Sequence, residues 1–287
     1  MEEVVTVIIP IYNRFEHIKI IFEALMRQTL KPNEVILSDD GSSLDVLEYL
    51  KSNFIDFPFK LKCVYQKDLG FRKTRALNNG VREANDGFLI FIDQDLIFGE
   101  DFIKNICKMR EKNKFIMLRP GNTDEGEKKI IINNFKNLEY KEILKSISFM
   151  GKEISKLDYK RDMKNNLLYR LKLRDRGAKF VGMAYALYKE DYIRINGYDE
   201  EYQGWGYEDD DFGNRLYKAG LKSKPIYLED VPLHLWHPFD PTKKKSINEE
   251  YYYKRKKEIS RKNYKCEYGY DKSKGNDEVV VSELLKN

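Results

Sequence analysis

Three cysteines, Cys63, Cys107 and Cys266, are all that the 287 residues contain, and none stands in a Cys-x-x-Cys pair or at metal-site spacing from a histidine. An odd, scattered set cannot close a disulfide framework, so ordinary reduced thiols are expected. Long apolar runs are missing too. The longest, Val4 to Ile11 and Phe88 to Ile92, are strand-sized and end in charged or turn residues, far short of the roughly 18 residues of a membrane span. With a mean hydropathy of -0.65 and no secretory leader pattern, a cytoplasmic protein is the expectation. Also absent are Gly-x-Gly-x-x-Gly and Gly-x-x-x-x-Gly-Lys-Ser/Thr, which removes the two commonest backbone cradles for phosphate. A nucleotide ligand would need its charge neutralised some other way.

What is present is charge, arranged in blocks. The net +5 conceals 12 basic and 16 acidic residues over positions 1–100, and 4 against 8 over positions 201–240. Positions 101–200 reverse this with 23 basic and 15 acidic, and positions 241–265 carry 10 and 3. A diffuse nucleic-acid binder has no use for the acidic blocks, so no nucleic-acid partner is expected.

The first hundred residues alternate strand and helix. Val4 to Ile9 form a buried-type strand closed by Pro10, and Ile18, Ile21, Phe22 and Leu25 recur at helical spacing over 16–26. Further strands are expected at 34–37, 61–65 and 88–92, with a helix over 74–84. This order implies an α/β fold, a mostly parallel Rossmann-like sheet with helices on both faces. Ligands of such sheets bind beyond the carboxyl ends of the strands, where Asn13-Arg14, Asp39-Asp40 and Asp93-Gln94-Asp95 fall. In extended chain, residues two apart point the same way, so Asp93 and Asp95 can face one divalent cation that also takes diphosphate oxygens.

Taken together, Pro10-Ile11-Tyr12-Asn13-Arg14, Ser38-Asp39-Asp40-Gly41-Ser42-Ser43, Gly70-Phe71-Arg72-Lys73-Thr74-Arg75 with Asn78-Asn79-Gly80, and Phe91-Ile92-Asp93-Gln94-Asp95 resemble the GT-A glycosyltransferases of family 2 in order and spacing. A second block, Phe180-Val181-Gly182-Met183-Ala184, Asn196-Gly197-Tyr198-Asp199-Glu200 and Gly204-Trp205-Gly206-Tyr207-Glu208-Asp209-Asp210-Asp211, resembles the carboxyl-terminal half of β-1,4-galactosyltransferases and bacterial chondroitin-polymerase-type enzymes. The resemblance implies an inverting transfer from a UDP-sugar to a hydroxyl of a saccharide or lipid-linked saccharide in bacterial surface polysaccharide synthesis. It implies a donor site at Pro10, Tyr12, Asn13, Arg14, Asp39, Asp40, Gln66, Arg72, Arg75, Asp93 and Gln94. Acceptor contacts would come from Trp205, Gly206, Asp209 and Asp210, with Asp209 as catalytic base beside Glu208. Mn2+ or Mg2+ would sit on Asp93 and Asp95 with a downstream histidine, His234 or His237, between which the motif does not choose.

The residues themselves agree with those roles. Glycines beside Trp205 open its face to an apolar sugar surface. Acids at 208–211 open a helix through Phe212 and Leu216, where its positive end favours them, but four in a row exceed what capping needs. An ionised carboxylate is suited to deprotonating an attacking hydroxyl. His17 opens a helix and is expected at the surface.

In this reading residues 1–240 form the catalytic domain. It has a nucleotide-sugar half over 1–115, an insertion or lid over 120–178 with helices at 138–148 and 162–173, and an acceptor half over 179–240. Residues 241–287 are a basic helical extension, loosely attached beyond 269, with a short strand or helix expected at Val279 to Leu285. Its Lys243-Lys244-Lys245 and Lys254-Arg255-Lys256-Lys257 flank three tyrosines, a pattern suited either to a solvated face or to an anionic membrane. A sugar-nucleotide nucleotidyltransferase would also use carboxylates on a metal, but it needs a Gly-rich basic loop near the amino terminus. A nonenzymatic basic-tail binding protein would leave the Asp clusters without a purpose.

Overall fold

A computed structural model describes residues 3–147, 149–238 and 246–284. Lys243-Lys244-Lys245 lie outside the described residues. In chain order the elements are β1 (Val5–Ile11), α1 (Phe15–Met26), β2 (Glu34–Asp39), α2 (Val46–Asn53), β3 (Lys60–Gln66), α3 (Lys73–Glu83), β4 (Phe88–Ile92), β5 (Leu96–Ile97) and α4 (Phe102–Met109). There follow β6 (Lys114–Met117), β7 (Gly121–Asn122), α5 (Glu125–Asn134), α6 (Tyr140–Ser146), α7 (Phe149–Arg170), β8 (Ala184–Tyr188) and α8 (Lys189–Arg194). The last are α9 (Glu208–Lys218), β9 (Lys222–Pro225), β10 (Leu233–His234), α10 (Glu249–Glu258) and β11 (Val279–Leu284).

Among the described residues the main sheet runs β11-β3-β2-β1-β4-β8-β6-β9. Its apolar strands are buried on both faces, as near-continuous hydrophobic runs require. Val7 and Ile9 of β1 with Ile90 and Ile92 of β4 join α1 and α4 in one core, while Ile8, Leu89 and Phe91 join α3 and α9 in the other. The sheet is more mixed than the alternation of elements suggests. Strands β3, β2, β1 and β4 are parallel, but β8 is antiparallel to β4 and β6, and β11 to β3. The cause is local: the Asp93 amide donates to the Met183 carbonyl at 2.9 Å, so β8 starts where β4 ends and must run back. A small second sheet, β5-β10-β7, sits beyond that strand end.

Two regions depart from the sequence reading. Helix α7 begins thirteen residues before the expected 162–173 and runs for 22 residues of the insertion. Its inward stripe is polar: Asp162 is buried on Arg119 at 2.6 Å, Ser155 donates to the Arg119 carbonyl, and Asn166 accepts from the Ala178 amide. Hydrophobic periodicity finds helices whose buried face is apolar, and here the aliphatic residues point outward.

The end of the chain is not loosely attached. β11 pairs with β3 from Val279↔Gln66 to Leu284↔Leu61 and so covers a sheet edge that would otherwise stand open. Asp277 just before it bridges Arg72 and Arg75 at 2.9 Å each. The Arg72 hydrogen bond holds the Asp277 carboxyl below the usual range. With the folded pKa lowered, this anchor is complete above the unfolded value of about 3.9 and is lost as pH falls below it. Asp277→Ala is expected to cost about 1–2 kcal/mol, read as a lower denaturant midpoint at pH 7 whose deficit shrinks at pH 3.

Candidate active site

At the end of β1 the chain turns through Asn13 and Arg14, both left-handed at φ 51° and 52°, a conformation that costs non-glycine residues energy. Neighbouring strand ends hold it there. The Asn13 amide donates to Ser42 Oγ at 2.9 Å, and Asn13 Oδ1 accepts from the Ser43 amide and hydroxyl. Gln94 Oε1 accepts from the Tyr12 amide at 3.0 Å, so Gln94 clamps the ends of β1 and β4 together. The turn sends the Arg14 guanidinium to Asp95 Oδ2 at 3.2 Å.

Asp39, at the end of β2, accepts from the Gly41 and Ser42 amides and so shapes its turn. Asp40 lies deeper, accepting from Gln66 Nε2 and the Arg72 amide at 2.6 Å each. Burial pushes its pKa up to about 6 despite these bonds. Gln66 Oε1 in turn accepts from Arg75 and Asn79. Gln66, Arg72 and Arg75, expected at the donor, therefore form one network behind Asp40 whose guanidiniums are engaged by Asp277. Pro10 is half-buried in β1, whereas Tyr12 stays exposed with its hydroxyl donating to Asp68 Oδ2 at 3.0 Å.

Asp95 is the focus of the other cluster. β10 pairs with β5 so that His234 lies opposite Leu96, and the Leu235 amide donates to the Asp95 carbonyl at 2.8 Å. His234 Nε2 and His237 Nε2 each come within 3.5 Å of Asp95 Oδ2. Ligand atoms of the three residues lie within 4.8 Å of one another. Both histidines, not one, reach the carboxylate. Burial works to raise the Asp95 pKa but is outweighed by the His234 hydrogen bond and by the His234, His237 and Arg14 charges, leaving it lowered. Asp95 Oδ1 is buried with no hydrogen-bond partner among the described residues. An orphaned carboxylate oxygen beside two imidazoles fits a divalent cation. His237 Nδ1 lies 2.9 Å from the Pro238 carbonyl, and donating there leaves the Nε2 lone pair facing Asp95.

Asp93 does not join that cluster. Its Oδ1 is paired with Lys73 Nζ at 2.6 Å. Burial and the Asp95 charge push its pKa up to about 6 against the pull of Lys73. Lys73 also feels the charges of Asp209 and Glu208, so one ammonium bridges the two acidic blocks. The sequence shows Lys73 only as one basic residue in the Gly-Phe-Arg-Lys run; nothing in its spacing pairs it with Asp93.

The four acids of α9 divide. Asp211 is fully buried on Arg215 at 2.6 Å, and Asp210 is taken by Arg176 at 2.8 Å and by the Tyr252 hydroxyl of α10. Asp210, expected at the acceptor, thus has both oxygens committed to the protein. Glu208 Oε2 accepts from the Gly206 amide at 2.8 Å, and burial followed by the Asp209 charge pushes its pKa up to about 7. That amide is aimed by the left-handed Gly206, φ 109°. Asp209 accepts from Tyr198 Oη at 3.0 Å and from the Gly182 amide at 3.1 Å. A side chain at Gly182 would meet Asp209 Oδ1 at 2.2 Å, so only glycine lets that amide come so close. Tyr198 was visible as part of a motif, but its role in fixing Asp209 was not.

A cavity of about 470 Å3 opens over this end, lined by Trp205, Gly206, Glu208, Asp209 and the Lys179–Val181 segment. A short backbone path joins it to the histidine cluster: Asp93 binds Met183, and adjacent Gly182 binds Asp209. The surface expectation for His17 is overturned, since α1 packs its ring inward and desolvation lowers its pKa to about 4.

Residues 6–174 match a family model described as glycosyl transferase family 2, and residues 165–232 match one described as the N-terminal domain of galactosyltransferase. The chain is 28% identical to the hyaluronan synthase of Pasteurella multocida over 77% of this chain and 23% of that one. It is 26% identical to the chondroitin synthase of Escherichia coli (77% and 33%), and 24% identical to the validoxylamine A glucosyltransferase of Streptomyces hygroscopicus subsp. limoneus (75% and 48%). It therefore spans between about a quarter and a half of the length of these relatives. In fold it is similar to Staphylococcus aureus TarS 1-349 in complex with UDP-GlcNAc, with a TM-score of 0.59 and 13% identity over 88% of this chain and 64% of that one. It is also similar to a Pyrobaculum calidifontis mannosyltransferase in complex with GDP-Man and Mn2+, with a TM-score of 0.52 and 15% identity over 81% and 57%. With one family model covering more than half of its length, and a galactosyltransferase-type region completing the cleft, the chain belongs to glycosyl transferase family 2.

Proposed function

We propose that the chain moves a sugar from a UDP-sugar to a hydroxyl of a saccharide or lipid-linked saccharide, with inversion at the anomeric carbon. The observation that carries this reading is the path Asp95, Asp93, Met183, Gly182, Asp209, along which a triad able to hold a cation and a candidate base lie a few residues and two hydrogen bonds apart. Asp95, His234 and His237 would hold Mn2+ or Mg2+. When bound, such a cation neutralises the diphosphate as it leaves. Arg14 and Lys73 add fixed positive charge on that side. The Asn13–Arg14 turn and the strand end at Asp39 and Asp40 would seat the nucleotide. A uridine nucleotide is supported by the fold relative TarS 1-349, which is in complex with UDP-GlcNAc, while the mannosyltransferase with GDP-Man marks the alternative.

On the acceptor side Asp209 would take the hydroxyl proton as that oxygen attacks. Tyr198 and the Gly182 amide hold the carboxylate in place by donating to it. Trp205 is exposed at the cavity rim, placed to stack on the acceptor ring. Polysaccharide assembly as the setting is supported by the hyaluronan and chondroitin synthase relatives.

Incubating the protein with a panel of nucleotide sugars and Mn2+ tests the donor reading through metal-dependent release of nucleoside diphosphate. Release from GDP-sugars alone would overturn the uridine assignment. With an acceptor identified, Trp205→Ala is expected to raise its KM roughly tenfold, the loss of one buried aromatic face, and to leave the donor KM unchanged.

A further inference from the structure

We propose that the outward face of α7 and the turn after it form a docking surface for an anionic lipid bilayer. The helix is inside out, with Ser155, Asp162 and Asn166 facing the protein. Ile154, Leu157, Met163, Leu167, Leu171 and Leu173 are all exposed. Interleaved with them, and also exposed, are Lys156, Lys160, Lys164, Arg170, Lys172 and Arg174. Acids offset these cations only in part: Glu153 is half-exposed on the first turns, Asp158 is paired with Arg161 at 2.7 Å, Asp162 is buried on Arg119, and Asp175 stands past the end of the helix. Exposed aliphatic groups at this density mark an interaction surface.

The chemistry of the face selects its partner. Six aliphatic side chains offer nothing to a soluble anionic glycan, which is gripped by cations and aromatic rings, and a protein partner would not need six exposed cations. A bilayer with anionic headgroups uses both, since aliphatic tips enter the acyl boundary while lysine and arginine stems lie along it and carry their charge to the headgroups. The basic tail helix α10 lacks the apolar half of this pattern. Tyr252 is buried and Tyr253 is its exposed large apolar residue, beside Lys254, Lys256 and Lys257. Past Arg174 the chain runs directly into Arg176, which grips Asp210, and into Lys179–Val181, which line the cavity. Docking through α7 would thus hold the cavity near the membrane surface, where a lipid-linked acceptor presents its sugar. The docking itself does not depend on the transferase reading.

Co-sedimentation of the protein with phosphatidylcholine vesicles, with and without phosphatidylglycerol, tests this. Binding is expected only with the anionic lipid. It should fall roughly tenfold or more in Leu157→Ser/Leu167→Ser/Leu171→Ser and equally in Lys160→Gln/Lys164→Gln/Arg170→Gln, while Lys254→Gln/Lys256→Gln/Lys257→Gln keeps most of it. Unchanged circular-dichroism melting of each variant shows that the fold is intact, as these side chains point to solvent. Absence of binding to anionic vesicles overturns the proposal. So does binding that the serine variant retains in full and soluble heparin competes away, which would make the face a polyanion site.

Discussion

Asp209→Asn is expected to lower transfer by about 10²–10⁴-fold, the range over which a positioned general base contributes, while nucleotide-sugar binding stays intact. The substitution is a clean probe because both partners of the carboxylate are donors of different kinds. An asparagine oxygen can keep the Gly182 amide, which cannot turn. Its NH2 then faces the Tyr198 hydroxyl, which can rotate and accept. Removal of the charge thus leaves the local hydrogen bonds countable as before, and the melting temperature should move little. Transfer near the native rate with unaltered donor binding would remove Asp209 from the role of base and turn attention to Glu208, the adjacent carboxylate lining the same cavity.

Removing the cation site is expected to have an effect of similar size through a different readout. Excess chelator should abolish nucleotide release from the donor, and Mn2+ should restore it. His234→Ala and His237→Ala should each weaken Mn2+ binding by about a hundredfold, since even residues that only support a ligand contribute 10–100-fold. Asp95→Asn should do at least as much, because it removes the negative charge between the two rings, replaces one carboxylate oxygen with an NH2 that cannot ligate, and leaves Arg14 without an anionic partner. Equilibrium binding of Mn2+, measured in the presence of UDP, separates this from a loss of fold. Asp93→Asn is the informative contrast. If Asp93 acts through its 2.6 Å pair with Lys73, Mn2+ affinity changes several-fold less than in the Asp95 variant. Transfer that persists under chelation would dismiss the metal altogether.

Much of this was legible from the sequence because strand ends announce themselves. A β-branched run followed by Asp-Asp-Gly or Asp-x-Asp fixes where a buried strand stops, although β1 runs through Pro10 to Ile11 instead of closing there, and α/β topology puts those stops on one side. Each of Asn13, Asp39, Asp40, Asp93 and Asp95 stands at such a stop in the structure. Long-range pairing was not legible in the same way. Nothing near Asp93 says that Lys73 will take it, nor does the Glu-Asp-Asp-Asp run say that Tyr252, on a later helix, will take Asp210. Periodicity failed at α7 for a physical reason: its buried stripe is polar and charged, so the pattern that marks a core-facing helix there marks the solvent side.

The strand β11 has a consequence for how the molecule comes into being. Asp277 reaches back 205 residues to Arg72, and loop closure over such a span is slow relative to the local pairing of β1 with β2. During synthesis the edge of β3 stays bare until β11 has emerged, after the signature motifs are complete. A fragment cut near residue 240, where the recognisable motifs end, would retain the Asp95, His234 and His237 cluster and Asp209 yet carry an unpaired β3 edge and, behind Asp40, two arginines without their Asp277 partner. The strand ends around Asp40 are thus completed only after α9 and β10 have emerged.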